Sequence, residues 1–323
     1  MKRRALIRLA GAAALPALTW GRAGADTSAR PLRMIVGSAP GATADVLNRH
    51  LAERLATHLG RPVVIENKPA AGGVIALQEL RRAAPDGQTI ASAFWAQLSV
   101  TPSLIPQLPY RPLEDFEMLG TWVHGVQVLV SSPASGLASL EDVVARARRE
   151  PNALQYGTPG NVSPGHLLME LWKGDYGVAI QHVPYRGPSG VQGLLAGDVP
   201  LLADGMLQVL PHVRSGRMRA LAVFSGQRSP PLPEVRTFGE AGFRGLDHRV
   251  WHGFVAPRGT PPAFVEAFGS ALRASVADPE VQRWHESQGR TLEVTTPAQM
   301  RAAVTAEIPL WADLGRRAGI SLQ

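Results

Sequence analysis

The sequence predicts an α/β protein of two lobes, each built on a mostly parallel sheet flanked by helices. Three observations predict it. Strand-like and helix-like segments alternate along the chain, and the alternation comes in two successive series. Two apolar stretches, 122–132 and 248–257, are placed to run between the two series. The length of 323 residues also suits two domains better than one.

The first 25 residues are typical of an export signal. They begin with Lys2-Arg3-Arg4, continue through a short Ala/Leu core and end at Ala23-Gly24-Ala25, which fits a cleavage site. Arg3 and Arg4 also fit a twin-arginine signal, and an ordinary secretory signal is the alternative. The core is too short and too rich in Gly and Ala to span a bilayer. We therefore expect a periplasmic protein.

Composition narrows the function classes. The signal segment holds 5 of the 33 basic residues and no acid, so the mature chain falls from a net charge of +7 to 28 minus 26, or +2. That balance, without a basic stripe interleaved with aromatics, predicts no nucleic-acid partner. The absence of cysteine removes disulfides, thiolate catalysis and Cys-based metal sites. We expect no cofactor and no metal.

The first series begins at residue 32. Residues 32–37 predict a strand, and the helix that follows carries a leucine every fourth residue, at Leu47, Leu51, Leu55 and Leu59. Gly60 and Pro62 predict its end. A strand over 62–67, a helix over 74–83 and a strand over 88–94 complete the series.

The second series begins after the apolar run 122–132. The predicted helices are 139–150, with Ser139 as N-cap, 165–172 and 189–196; the predicted strands are 153–157, 178–185, 199–204, 218–225 and 248–257. The tail is predicted to be helical. Its helix starts are Thr260-Pro261, Asp278-Pro279 and Thr296-Pro297, where Gln299 completes a capping box with Thr296.

Lobe boundaries follow from the two apolar stretches. We expect one lobe to combine residues 26–124 with 248–323 and the other to comprise 125–247. Two crossing strands make a hinge, and a cleft between hinged lobes is where ligands collect.

The first predicted loop joins a strand to a helix and contains no nucleophile. Small residues there let an anion reach the unpaired amides of the helix, and Thr43 or Asp45 is expected to cap it. The alternative is an ordinary tight turn. The candidate ligand residues of this loop are Ser38, Ala39, Pro40, Gly41, Ala42, Thr43 and Asp45.

The second predicted loop has the same arrangement in the other lobe. Its candidate ligand residues are Thr158, Gly160, Asn161, Val162, Ser163 and His166. One such loop in each lobe would hold an acidic ligand from both sides. Tyr185 and Arg186 lie at the end of the next strand. Tyr185 would pack on the ligand or hydrogen-bond to it, and Arg186 would neutralise a second carboxylate or form a surface or hinge salt bridge.

Catalytic motifs are missing from the sequence. It has no G-x-S-x-G elbow, Walker A loop, H-E-x-x-H or G-x-G-x-x-G. Ser163 and His166 supply only fragments of an exported α/β hydrolase, which is kept as the alternative to a binding protein.

The chain resembles the Bug-type solute-binding proteins of the tripartite tricarboxylate transporter system. The matching segments occur in the family's order and cover nearly all of the mature chain. They are "APGATAD" (39–45), "VIENKPAAGG" (64–73), "AAPDGQT" (83–89), "YGTPGN" (156–161), "HVPYRGPSG" (182–190), "GRMRALAV" (216–223), "LPEVRTFGEAGF" (232–243) and "WHGFVAPRGTP" (251–261).

The resemblance implies a type II, Venus-flytrap periplasmic binding protein without catalysis. It implies that the carboxylate of a small organic acid is held by backbone amides and bridging waters from the two loops, and that side chains such as Tyr185, Arg186 and Asp204 give specificity for its far end. The implied partners are the membrane permease subunits of such a transporter, and we expect a monomer. A ligand sensor of the same fold is the alternative.

The chain departs from the family's usual first loop, Pro-Phe-Ala-Pro-Gly-Gly, at Gly37, Ser38 and Ala42. In the second loop, Val162 replaces a common Gly, which matters if that position needs a positive φ. Gln192 replaces an Asp that is often found after the Tyr185 segment.

Overall fold

A computed structural model describes residues 30–105, 107–185, 189–248 and 250–320. The export signal and Arg186 lie outside the described residues. The strands are β1 (Leu32–Val36), β2 (Val63–Asn67), β3 (Thr89–Phe94), β4 (Phe116–Gly125), β5 (Gln127–Ser131), β6 (Gln155–Thr158), β7 (Gln181–Pro184), β8 (Leu201–Gly205), β9 (Arg219–Phe224), β10 (Val250–Pro257) and β11 (Arg290–Leu292).

The α-helices alternate with these strands and dominate the end of the chain. They are α1 (Thr43–Leu59), α2 (Val74–Arg82), α3 (Thr101–Leu104), α4 (Pro112–Asp115), α5 (Leu140–Arg149), α6 (Pro164–Tyr176), α7 (Ser189–Ala196), α8 (Met206–Arg214), α9 (Pro262–Val276), α10 (Pro279–Ser287) and α11 (Pro297–Ala318). A π-helical turn, Ala96–Val100, leads into α3.

The strands form two sheets, and both are mixed. The first has the order β11-β4-β10-β3-β1-β2, and the second has the order β7-β6-β8-β5-β9. The expected parallel pairings are present, β1 with β2 and β3, and β6 with β7 and β8. The remaining pairings are antiparallel. "Mostly parallel" was therefore wrong in detail, because the strands beside the crossing between sheets run against their neighbours.

Of the two stretches predicted to run between the lobes, one does so and the other does not. The apolar run 122–132 does pass between sheets: β4 ends at Gly125 in the first, and β5 starts at Gln127 in the second. Stretch 248–257, by contrast, does not cross as a strand, because β10 lies wholly in the first sheet between β3 and β4. The second crossing lies upstream of β10. The lobe boundaries themselves stay a prediction.

Most helix ends follow their sequence signals. Gly60 ends α1 in the left-handed conformation. Ser139 caps α5 by accepting the Asp142 N–H, and Thr296 and Gln299 form the predicted capping box of α11. Asp278 caps α10, but Thr260 does not cap α9: Pro261 is the N-cap, and the Thr260 hydroxyl donates to the Pro257 carbonyl.

The helix α11 joins the two halves of the fold. It contacts β4 of the first sheet and α6, which packs beside the second sheet. Near its end, Arg317 forms an ion pair with Asp175 of α6, 2.7 Å between nitrogen and oxygen. The buried aromatic ring of Trp311 lies in the apolar cluster that includes Trp172 of α6.

Candidate functional site

The carboxyl ends of the parallel strands face the point where the chain crosses between sheets. Gly125, at the end of β4, pairs with Val250, and Gln127, at the start of β5, pairs with Gly205 at the end of β8. In α/β folds, ligands bind in the crevice outside the carboxyl ends of strands. A cavity of about 210 Å³ lies at this crossing.

Residues attached to both sheets line this cavity, which we call the interlobe cavity. The lining residues are Val123, Gly125, Val126, Gln127, Pro159, Pro164, Asp204, Gly205, Met206, Leu207, Gln208, Val250, His252, Gln288, Gly289 and Arg290.

The second loop borders the cavity and satisfies many of its own polar groups. Pro159 and Pro164, which flank it, contribute to the cavity wall. Ser163 is the N-cap of α6 and accepts the His166 N–H at 3.4 Å. The Thr158 hydroxyl donates to the Gly160 carbonyl at 3.0 Å and is fully buried. The side chains of Thr158 and Ser163 therefore shape the loop.

Val162 takes the conformation that would favour glycine. Its φ is +59°, in the left-handed region where a β-branched residue is an outlier. The Val162 N–H donates to His166 Nδ1 at 3.0 Å, which fastens the backbone there. Position 162 thus requires a positive φ although it holds Val where the family commonly has Gly. The hydrogen bond to His166 offsets part of the resulting backbone strain.

Two stacked imidazole rings pack against the second loop and contact its side chains. The rings of His166 and His182 lie 3.8 Å apart with an interplanar angle of 13°. His182 Nε2 lies 2.7 Å from the Thr158 hydroxyl. Burial, followed by the charge of the neighbouring His166, lowers the pKa of His182 to about 4, and burial also lowers the pKa of His166. Both rings are therefore neutral near pH 7 and hold the loop through uncharged contacts.

The first loop is fastened by Asp45. Its carboxylate accepts the Gly41 N–H at 2.8 Å and the Asn67 amide at 2.9 Å, and it pairs with Arg49 at 2.9 Å. The Arg49 hydrogen bond is the largest cause that lowers the pKa of Asp45 to about 2. The prediction that Thr43 or Asp45 caps α1 is wrong: Ala42 is the N-cap, and no side chain caps the helix.

A series of side-chain contacts at the end of β3 links the first loop to the cavity wall. A Cβ on Gly37 would lie 2.9 Å from the Gln97 amide nitrogen, and the Gln97 side-chain oxygen accepts the Phe94 N–H. The Phe94 ring lies 5.7 Å from the ring of His252, which lines the cavity. Residues 38–45 themselves are not part of the cavity wall. They lie at the same edge of the first sheet.

Asp204 is the predicted residue that lies directly in the cavity wall. It is only 4% exposed. Its Oδ1 accepts the Gly205 N–H at 2.7 Å, whereas its Oδ2 is buried and has no hydrogen-bond partner among the described residues. Burial raises the pKa of Asp204 to about 6. A buried carboxyl oxygen without a donor is costly, so this position favours a ligand that supplies one.

Tyr185 lies at the edge of the second sheet, packed on glycines. A Cβ on Gly193 would lie 2.3 Å from the Tyr185 hydroxyl, and one on Gly157 would lie 2.9 Å from its ring. The Tyr185 N–H donates to the Thr158 carbonyl at 2.9 Å. Tyr185 thus braces the second loop and is not part of the interlobe cavity wall.

Sequence reasoning missed several residues of the cavity wall, above all Arg290 and His252. Arg290 begins β11 and is partly buried, which lowers its pKa, and its guanidinium lies 5.8 Å from the centre of the Trp284 ring. Burial lowers the pKa of His252 to about 4. Arg290 lies in none of the segments singled out from the sequence, and His252 lies in the matching segment 251–261, which carried no prediction of a site. Their roles emerge only when β11 and β10 are placed beside β4.

The hydrolase fragments do not assemble into a catalytic pair in the described chain. The Ser163 hydroxyl accepts a backbone N–H of α6, and His166 Nδ1 accepts the Val162 N–H, so the two side chains are engaged with the backbone separately. No group of three or more His, Asp or Glu suited to a metal occurs among the described residues. Within those same ranges, no helix combines the length and apolarity needed to cross a membrane.

Comparisons with known proteins agree on one family. Residues 47–307 match the family described as "Tripartite tricarboxylate transporter family receptor". Protein BugT of Bordetella pertussis is 36% identical over 302 residues, covering 93% of each chain. The structure of the periplasmic binding protein BugD matches with a TM-score of 0.74 and 31% identity, covering 91% of this chain and 99% of BugD. A structure of Rhodopseudomonas palustris Rpa4515 with adipate matches with a TM-score of 0.77 and 31% identity, covering 90% and 98%.

Proposed function

Because the chain belongs to the family of tripartite tricarboxylate transporter receptors, we propose that it captures a small organic acid in the interlobe cavity. Its fold is the two-lobed periplasmic binding protein fold of BugD and Rpa4515. The observation that carries the proposal is the cavity itself, which residues attached to both sheets line at the carboxyl ends of the strands. Adipate in Rpa4515 supports an organic acid as the class of ligand.

The proposed binding mode uses the two loops and Asp204. The α1 N-terminus has no side-chain cap, so its first amides are available to a carboxylate between Ser38 and Asp45. The second loop, from Thr158 to His166, would close over the same carboxylate from the other lobe. Asp204 would contact the far end of the ligand. Tyr185 braces the second loop, and Arg186 stays a proposal without a structural account.

We also propose that the protein delivers its ligand to membrane permease subunits, and membership of a family of transporter receptors supports this. We propose that the protein works in the periplasm after export, with Arg3 and Arg4 directing it to the twin-arginine route. A strain lacking that translocase should then retain the precursor in the cytoplasm. We also propose a monomer, because one chain supplies both walls of the cavity. We propose that it has no catalytic activity, since the Ser163 and His166 side chains are engaged separately with the backbone.

A thermal-shift screen tests the function. The panel contains dicarboxylic, aromatic and amino acids, with neutral sugars as controls. An acid at a hundredfold excess over Kd should stabilise the protein by about 2.7 kcal/mol. A rise in Tm with a sugar and with no acid would overturn the proposal.

Two cap variants sharpen the screen. Ser163→Ala and Ser139→Ala each remove an N-cap, so both should cost about 1 kcal/mol of stability. Ser163→Ala should weaken acid binding only a few-fold, and Ser139→Ala, far from the loops in sequence and absent from the cavity wall, should leave binding unchanged. Complete loss of binding in Ser163→Ala alone would contradict a site built mainly from backbone amides.

A further inference from the structure

The interlobe cavity contains two opposite charges that are not paired with each other. Asp204 contributes from the end of β8, and Arg290 contributes from the start of β11. In the described part of the chain, no ion pair joins Arg290 to any carboxylate, and Asp204 Oδ2 has no donor. Asp204 is therefore buried with one carboxyl oxygen unpartnered, and Arg290 is half-buried with the Trp284 ring, but no carboxylate, as its partner.

The backbone brings these charges to the same place. Gly289 packs against α8: a Cβ there would lie 2.4 Å from Met206 Cγ. Arg290 follows Gly289 directly, and Asp204 precedes Met206 by two residues. Gly289 has a φ of +68°, so it suits this close approach between segments of the two halves.

The rest of the cavity wall adds no competing charge. Its remaining ionisable side chain is His252, whose pKa is lowered to about 4 by burial and then by the charge of Arg290. The neutral polar side chains are Gln127, Gln208 and Gln288. The wall thus presents one cation and one acid, and the partner that neutralises both is a group that carries an anion and a cationic donor together.

We propose that Arg290 and Asp204 form a ligand subsite for an amino-acid end group, with Arg290 binding its carboxylate and Asp204 binding its ammonium. This inference rests on the proposed function, because the other end of the ligand is the acid held by the loops. The preferred ligand class is therefore an amino dicarboxylic acid. Arg290 is a residue of ligand selection that the sequence did not reveal.

The test compares acids that differ only by an ammonium group. The probes are succinate with L-aspartate, glutarate with L-glutamate, and adipate with L-2-aminoadipate, titrated calorimetrically at pH 7.5. At the best-fitting chain length, the wild type should bind the amino acid about tenfold or more tighter than its plain dicarboxylate, as expected for a charge-assisted hydrogen bond.

Variants separate the two charges. Asp204→Asn should lower the affinity for the amino acid by about tenfold and leave the affinity for the plain dicarboxylate equal or higher, which removes the preference. Arg290→Gln should lower the affinity for both ligands. Arg283→Gln, exposed on α10, is the matched control and should change neither.

The outcomes separate the inference from the proposed function. If plain dicarboxylates bind as well as amino dicarboxylates, or if Asp204→Asn weakens both equally, the subsite is wrong while the acid receptor stands. If no probe binds the wild type but another acid of the screen does, the subsite is again wrong. If no acid of any class binds, the proposed function fails with it.

Discussion

The two loops beside the cleft are alike in sequence but differ in how their polar groups are used. In the first loop, α1 begins at an Ala42 N-cap that offers no side-chain acceptor, and Asp45 fastens the loop from within the helix. In the second, Ser163 caps α6 and His166 holds the Val162 amide. The first loop thus leaves more amides available to a ligand, and the second is already fixed.

The acids associated with the two loops differ in the same way. Asp45 is paired with Arg49, so its pKa lies near 2. Asp204, behind the second loop, is buried without a cation, so its pKa lies near 6. One acid thus stabilises its loop, whereas the other is held in a costly ionised state that a ligand can relieve.

The largest effect is expected from a variant that disrupts the packing of α6 on β8 beneath the second loop. Gly165→Ala places a Cβ 2.2 Å from the Ala203 carbonyl oxygen, so α6 must move away from β8. We expect a loss of about 3 kcal/mol or more in the free energy of unfolding, measured by urea denaturation. The matched variant in the first loop, Gly41→Ala, meets no atom within 4 Å and has only its φ of +78° to oppose it, at about 1 to 2 kcal/mol. Equal losses of unfolding free energy in the two variants would show that the second loop is packed no more tightly than the first.

The next effect concerns Asp204 and has a defined pH dependence. A folded-state pKa raised from 3.8 to about 6 contributes stability below pH 4 that is lost as the pH rises through 6. Asp204→Asn should therefore stabilise the ligand-free protein at pH 8 by up to about 3 kcal/mol and have little effect at pH 4. Tm measured across this pH range is the readout, and destabilisation at pH 8 would show that the ionised carboxylate has a partner.

Asp45 should show the opposite dependence with a smaller magnitude. Its depressed pKa contributes stability above pH 4 that is lost as the pH falls through 2. Asp45→Asn should cost about 1 to 2 kcal/mol at pH 7, since its partner Arg49 is half exposed, and almost nothing at pH 2. Asp142→Asn is the control: Asp142 likewise accepts the N–H four residues earlier, but that hydrogen bond is exposed to solvent. A larger loss in Asp142→Asn would refute the assigned role of Asp45.

The smallest expected effect concerns Val162. Val162→Gly relieves a left-handed β-branched residue but removes a half-buried side chain, so the two terms should cancel to within about 1 kcal/mol. Val144→Gly, at a half-buried helical position of α5, has no strain to relieve and should lose about 2 kcal/mol. Thermal unfolding of the two variants side by side decides whether Val162 is strained.

The sequence predicted elements whose causes are local. The leucine spacing of α1, the left-handed Gly60, the Ser139 cap and the Thr296–Gln299 capping box all depend on residues within a few positions of one another. The two-lobed fold also followed, from two strand–helix series and the family resemblance.

Features that depend on distant partners escaped prediction. The position of β10 between β3 and β4 made the first sheet mixed, and β5 between β8 and β9 made the second sheet mixed. The strand β11 was not predicted because three residues leave too short a pattern. Arg290 enters the cavity wall only through that pairing. The π-helical turn and α8 were likewise missed. Asp204 was found through the resemblance, but its missing donor is a property of the folded chain.

In the proposed binding mode both loops contact one acid between the lobes, and amide chemical shifts measure such contacts directly. Labelled protein is titrated with the acid that stabilises it most. We predict that the amides of Ser38–Asp45 and of Gly160–His166 shift together and saturate at one equivalent of acid. Shifts confined to one loop, or to the outer surface while both loops stay unchanged, would contradict the account.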